Sequence, residues 1–233
     1  MRILIDHFPN CGFGNRLLYY YNLRQEAHNR NCGFHCVPWD GHQFFEGNML
    51  GSVEEEDSEV LELCMGEKFY DYNELSTRDV FKLKEIPEVP KNTCAIHFRG
   101  TDFHHWNINA ILEYDYYYDS IQKVKDDVHS FALFTDDPNL SSFTTIKEYL
   151  SNENINFTEG SRNNYINDFS FMSECDYIIS SPSTFCICAG FIGKNKKIIH
   201  SESWLLDRIN HEDKFWIDLV NRGNKDYKIW AKV

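Results

Sequence analysis

Thr93-Cys94-Ala95-Ile96-His97-Phe98 is an apolar run of strand type, and it ends abruptly in the polar stretch Arg99-Gly100-Thr101-Asp102. The residues downstream decide its meaning. Tyr117, Ile121, Val124 and Val128 recur on one helical face, and a second apolar run, Ser130 to Phe134, comes directly after. Phe143, Ile146 and Leu150 predict another helix, Ile155 to Phe157 a short strand, and Phe169 to Cys175 a helix with Asp168 as its cap. Tyr177 to Ser180 and Lys196 to His200 add two strands around a small-residue helix from Ser183 to Ile192. Strands alternating with helices at this spacing imply right-handed parallel crossovers with both sheet faces covered. Residues 91–233 therefore read as a doubly wound, Rossmann-type α/β domain. Residues 210–222, with Phe215, Trp216, Leu219 and Val220, predict a closing amphipathic helix.

Upstream, residues 2 to 5 form a short strand that runs into the turn Pro9-Asn10-Cys11-Gly12-Phe13-Gly14. Leu17, Leu18, Tyr21 and Ala27 then fall at helical spacing, and Gly33 to Val37 predicts a second strand. Residues 38 to 90 hold no sustained period. Residues 1–90 are expected to form a small N-terminal α/β domain. The acidic run Glu54 to Asp57 reads as a solvated loop.

With 233 residues, 42% of them hydrophobic, the chain can bury a substantial core. Its formal charge of -13 opposes a nucleic-acid backbone, and no basic stripe offsets it. No apolar stretch reaches the ~18 residues of a spanning helix. Asp6 and His7 interrupt the first apolar run before a signal peptide could form. Eight irregularly spaced cysteines, several inside apolar runs, suggest buried thiols in a reducing compartment, hence a cytoplasmic protein. Cys32 and Cys36 lack a second ligand pair at zinc spacing. Asn156-Phe157-Thr158 matches a glycosylation acceptor, which is accidental without a secretory route.

Ligands of an open parallel sheet bind beyond the carboxyl ends of its strands. Those positions here are His97 to Asp102, Thr135-Asp136-Asp137-Pro138, and Ser181-Pro182-Ser183-Thr184. An arginine, a histidine, carboxylates and hydroxyls at a helix start suit a nucleoside diphosphate. Arg99 can grip phosphate bidentately, or merely pair with Asp102. His97 shares its strand face, although a strand histidine is as readily a core group. Asp136 and Asp137 read either as a turn capping a helix near Leu140 or as acceptors for the N1-H and amino edge of guanine. Gly12, Gly14, Asn15 and Arg16 would bring backbone amides and one cation to the phosphates, or serve only the strand-to-helix turn. Ser183 and Thr184 read as N-cap residues only, or also as donors to phosphate oxygens. Tyr114, Tyr116, Tyr117 and Tyr118 offer aromatic faces for a sugar.

These blocks resemble the fucosyltransferase superfamily of α1,2-, α1,6- and protein O-fucosyltransferases. The likeness covers Gly12 to Arg16 and most of residues 93 to 192. His97-Phe98-Arg99-Gly100-Thr101-Asp102 is similar to its His-x-Arg-Arg-x-Asp motif, Phe134 to Pro138 to its Thr-Asp-Asp-Pro motif, and Asp168 to Ala189 to its third block. The resemblance implies a GT-B-like, inverting glycosyltransferase that moves L-fucose from GDP-fucose to a glycan hydroxyl, with no metal and no other cofactor. It implies Arg99 on the β-phosphate, His97 with Asp136 or Asp137 on guanine, Ser183, Thr184 and Phe185 at the donor, and the Gly14-Asn15 loop above it. Asp102 is the expected base, with Glu113, His104 and His105 behind it. Position 100 departs from the motif, carrying Gly where a second Arg is common. The same scaffold would also suit another donor such as UDP-xylose, or an inactive glycan or nucleotide binder.

Overall fold

The computed structural model describes residues 2–51, 58–61, 77–161, 164–193, 197–204 and 230–232. The acidic run at 54–57 and the helix expected at 210–222 lie outside them.

Two parallel sheets organise the chain. The smaller consists of β1 (Arg2–Ile5) flanked by β2 (Gly33–Cys36) and β3 (Ser58–Val60). The strand β3 had no signature in the sequence, being a fully exposed edge of three residues. The larger sheet contains β4 (Thr93–Phe98), β5 (Ser130–Thr135), β6 (Phe157–Glu159), β7 (Tyr177–Ile179), β8 (Lys197–His200) and β9 (Trp230–Lys232). Its order is β6-β5-β4-β7-β8-β9, every pairing parallel. The chain starts in the middle, runs outward to one edge, and returns past β4 to fill the other side. That reversal between β4 and β7 opens a crevice at the carboxyl ends of the strands, as in other doubly wound sheets.

Strand alternation sends the side chains of β4 into two cores. Cys94, Ile96 and Phe98 pack with α5 (Tyr114–Val124) and α6 (Ser141–Asn152) on one face, through Tyr117, Ile121, Phe143 and Ile146. Ala95 faces the other core, where α7 (Tyr165–Glu174) and α8 (Thr184–Ile192) lie, and His97 shares its parity. Every residue of β4 is buried, which explains an apolar run with no alternation.

The helix α1 (Phe13–Asn29) departs from a simple amphipathic pattern. Twelve of its 17 residues are buried, including the consecutive Tyr19, Tyr20 and Tyr21. It lies between the small sheet and α8, so nearly all its faces meet protein. Tyrosine tolerates this because its hydroxyl finds a partner: Gln25 Nε2 donates to Tyr21 Oη at 2.7 Å and Arg24 Nη1 to Tyr20 Oη at 3.2 Å. One apolar cluster runs from Ile3 through α1 and α8 to Trp204, crossing the boundary at residue 90. Burying each large side chain there is worth roughly 1.5 to 3 kcal/mol.

Short helices complete the chain: α2 (Gly41–Phe44), α3 (Thr77–Val80) and α4 (Phe103–Trp106). Two expected helix starts differ. The helix α7 begins one turn earlier than its apolar residues suggested, because Asn164 caps it by accepting from Asn167 N at 3.2 Å. Asp168 instead accepts from Ser161 N at 2.8 Å. No side chain caps α6, since the Asp137 carboxylate closes its own turn on Asn139 N at 2.9 Å. Among the described residues no helix is long and apolar enough to cross a membrane, and the seven described cysteines are all free.

Candidate functional site

A cavity of about 810 Å³ opens at the reversal point of the large sheet. It is built from the ends of β4 and β5, the turn after β7, and the first turns of α1 and α8. Of the twelve residues expected to bind the donor or to take part directly in the chemistry, Asp137 alone lies outside it. Gly12, Gly14, Asn15, Arg16, His97, Arg99, Asp102, Asp136, Ser183, Thr184 and Phe185 all line its wall.

Arg99 sits just past the end of β4. Its Nη1 pairs with Asp136 Oδ2 at 2.7 Å and its Nη2 with Asp102 Oδ1 at 2.8 Å, while Nε is buried without a partner. The guanidinium also lies 5.4 Å from the Phe103 ring centroid, so an aromatic face supports the cation. Asp136 is held from three directions. Besides Arg99, it accepts from Gly100 N at 2.9 Å and Thr101 Oγ1 at 2.6 Å. Both oxygens are therefore engaged within the protein, and the carboxylate orients Arg99 rather than standing open to a base edge. Asp137 turns the other way, so the two neighbouring carboxylates serve different partners.

Gly100 has a physical reason to lack a side chain. A Cβ there would stand 3.0 Å from Asp137 Cβ and 3.4 Å from Leu140 Cδ1. Any side chain at position 100 would require Asp137 and Leu140 to give way by a few tenths of an ångström.

His97 is 5% exposed, and its Nδ1 lies 2.7 Å from Ser181 Oγ across the β4–β7 crevice. Burial, reinforced by the nearby Arg99 charge and opposed by Asp136, pushes its pKa down to about 4. The imidazole is neutral at physiological pH and stands 5.7 Å from the Phe185 ring.

Two helix N-termini meet at the cavity. Ser183 caps α8 as expected, its Oγ accepting from Phe185 N at 3.3 Å. Thr184 Oγ1 donates to Asn15 Oδ1 at 2.7 Å, tying α8 to α1. Gly14 belongs to this joint rather than to a flexible loop. A Cβ on Gly14 would fall 2.5 Å from Phe185 N and Thr184 C, so only glycine lets the helices approach. Gly12 differs: no atom lies within 4 Å of its would-be Cβ. The orphan amides of both first turns favour negative charge in the space between them.

The structure adds residues that the sequence had not placed at the site. Asp40, just after β2, accepts from Arg16 Nη1 at 3.1 Å and from Tyr165 Oη at 2.9 Å, linking α1, the β2 turn and α7. Burial and the Asp40 contact raise the Tyr165 pKa to about 12. The strand-end rule applied to β2 would have found Asp40. Trp106 and Phe103 of α4, and Asp168, complete this part of the wall. The lining thus carries two arginines, Arg16 and Arg99, against four aspartates, Asp40, Asp102, Asp136 and Asp168.

Other expected participants stand elsewhere. Glu113, His104 and His105 are exposed, and none lines the cavity. Nor does the tyrosine cluster of α5, which is structural. Tyr116 Oη donates to Ser180 O and Ile199 O, Tyr117 Oη to His97 O, and Tyr114 stacks on Tyr118. Among the described residues no three His, Cys, Asp or Glu side chains are grouped as metal ligands. No protein-family model and no curated protein sequence matches the chain.

Proposed function

We propose that the cavity holds a nucleoside diphosphate sugar and that the chain is an inverting glycosyltransferase of GT-B-like design, transferring L-fucose from GDP-fucose to a glycan hydroxyl. The observation that carries the reading is convergence. Three segments far apart in sequence meet at the reversal point of a doubly wound sheet, bringing Arg99 and two helix N-termini to one cavity. Such a wall suits the two negative phosphates of a nucleotide.

In the proposed step the acceptor oxygen bonds to the anomeric carbon as the bond from that carbon to the β-phosphate oxygen breaks. The electron pair leaves with the diphosphate, where Arg99 and the amide-rich helix starts stabilise it. The acceptor proton passes to a carboxylate, with Asp102 the candidate because it lies on the cavity wall and is 63% exposed. The small sheet supplies the acceptor side. Since arginine and amides neutralise the leaving group, turnover needs no divalent ion and persists in excess EDTA. Guanine selectivity rests on the resemblance and on the neutral His97 in the wall, because Asp136 and Asp137 are engaged elsewhere.

Thermal denaturation with GDP, UDP and ADP tests the donor. At ~100 times its Kd a ligand adds about 2.7 kcal/mol, which raises Tm by about 5 to 10 °C in a chain of this size. GDP should give the largest rise. Equal or greater stabilisation by UDP removes the guanine assignment and leaves the transferase reading intact. No response to any nucleotide removes both.

A further inference from the structure

The two carboxylates on Arg99 are not equivalent. Asp136 is 23% exposed and uses both oxygens, gathering the Gly100 amide, the Thr101 hydroxyl and Arg99 Nη1. It is fastened at the end of a buried strand, where Thr135 Oγ1 braces the turn by accepting from Asp137 N at 3.0 Å. Asp102 is 63% exposed, sits at the start of the four-residue helix α4 without capping it, and holds Arg99 alone. A pair with one exposed partner contributes little, since water competes for the Asp102 charge.

The side-on edge of the guanidinium gives the asymmetry a direction. Nε and Nη2 point the same way from the planar group and form the side-on fork that grips an oxyanion with two bonds. In this structure Asp102 takes Nη2 while Nε is buried without any partner. One donor of the fork is therefore unused, and an oxyanion in place of Asp102 would satisfy both.

We propose that Asp136 is the permanent positioning residue of Arg99 and that Asp102 is an exchangeable counter-ion, which a diphosphate displaces to occupy the Nε and Nη2 edge. The ligand class rests on the nucleotide-sugar reading above. Exchange also accounts for a wall with more aspartates than arginines: the ligand replaces a negative group instead of adding to it. Once released from Arg99, Asp102 stands beside the ligand as a free carboxylate, which suits it to accept the acceptor proton.

Calorimetric titration of inorganic pyrophosphate into the wild-type chain, Asp102→Asn and Asp136→Asn at one fixed ionic strength tests the proposal. Each variant removes a single negative charge from the wall, so a general electrostatic effect would tighten both alike. Exchange predicts opposite signs. Asp102→Asn should bind pyrophosphate about two- to fivefold more tightly, the worth of one exposed ion pair. Asp136→Asn should bind it more weakly, because Arg99 loses its anchor. Should Asp136→Asn fail to fold, Thr101→Val strips one donor from Asp136 and should weaken binding in the same direction. Tighter binding by both charge variants, or unchanged or weaker binding by Asp102→Asn, overturns the proposal while leaving the transferase reading in place. If pyrophosphate behaves as expected but GDP does not bind, exchange stands and the nucleotide reading falls. If neither ligand binds any of the chains, both fall.

Discussion

His97 on β4 and Ser181 in the turn after β7 meet at 2.7 Å, Nδ1 to Oγ, where the chain order of the large sheet reverses. The contact holds a neutral imidazole against the cavity wall and joins the two halves of the doubly wound sheet. Its cost appears in acid. His97 has its pKa lowered to about 4 and His200, buried beside Ser180, to about 3, in both cases foremost by burial. The unfolded chain would protonate both near 6.5. Below that value the unfolded state binds more protons than the native one, so stability is complete above about pH 6.5 and is lost as pH falls toward 4. Melting temperature measured between pH 7.5 and 4.5 should fall less steeply for His97→Gln than for the wild-type chain. Parallel curves would mean that His97 is not held neutral.

Gly14 sets how closely α1 approaches α8. Gly14→Ala forces a methyl group onto the Thr184–Phe185 backbone at 2.5 Å, where no side chain can rotate away. Overpacking of this kind costs about 1 to 3 kcal/mol. Chemical denaturation should register that loss, and nucleotide affinity should fall with it because both helix starts line the cavity. Gly12→Ala, with open space around its Cβ, should leave stability within about 0.5 kcal/mol of wild type. If the two substitutions destabilise equally, the close approach at Gly14 is not what makes it glycine.

Arg99→Ala should remove about 2 to 4 kcal/mol of transition-state stabilisation from the proposed transfer while the fold survives. Arg99→Lys should recover only part of it, since an ammonium cannot bridge Asp136 and a phosphate with a planar fork. Turnover of GDP-fucose by each purified variant, with melting temperature as the control for folding, supplies the check. Full activity in a soluble Arg99→Ala variant would take Arg99 out of the chemistry.

The unbroken run Thr93 to Phe98 and the apolar spacings after it determined a parallel α/β layer, because strands buried on both faces and helices buried on one leave distinct periods. The same spacings located strand ends, and so brought His97, Arg99, Asp136 and Ser183 forward as a group. Period placed α1 through Leu17, Leu18, Tyr21 and Ala27, yet it could not show how fully the helix is enclosed, for its three consecutive tyrosines are buried only because protein surrounds it on nearly every side. Nor could it find β3, a three-residue exposed edge.

Partner choice was decided by tertiary structure. Asp136 and Asp137 are chemically identical neighbours, yet one meets Arg99 at the end of the adjacent strand β4 and the other an amide two residues away. Gly14 looks like a loop glycine until α8 arrives from 170 residues further on, and Asp40 gains its place only when Tyr165 folds over it. Local sequence sets the face on which a side chain stands, through backbone periodicity. What that side chain meets depends on elements distant in sequence, whose approach is governed by packing of the whole core.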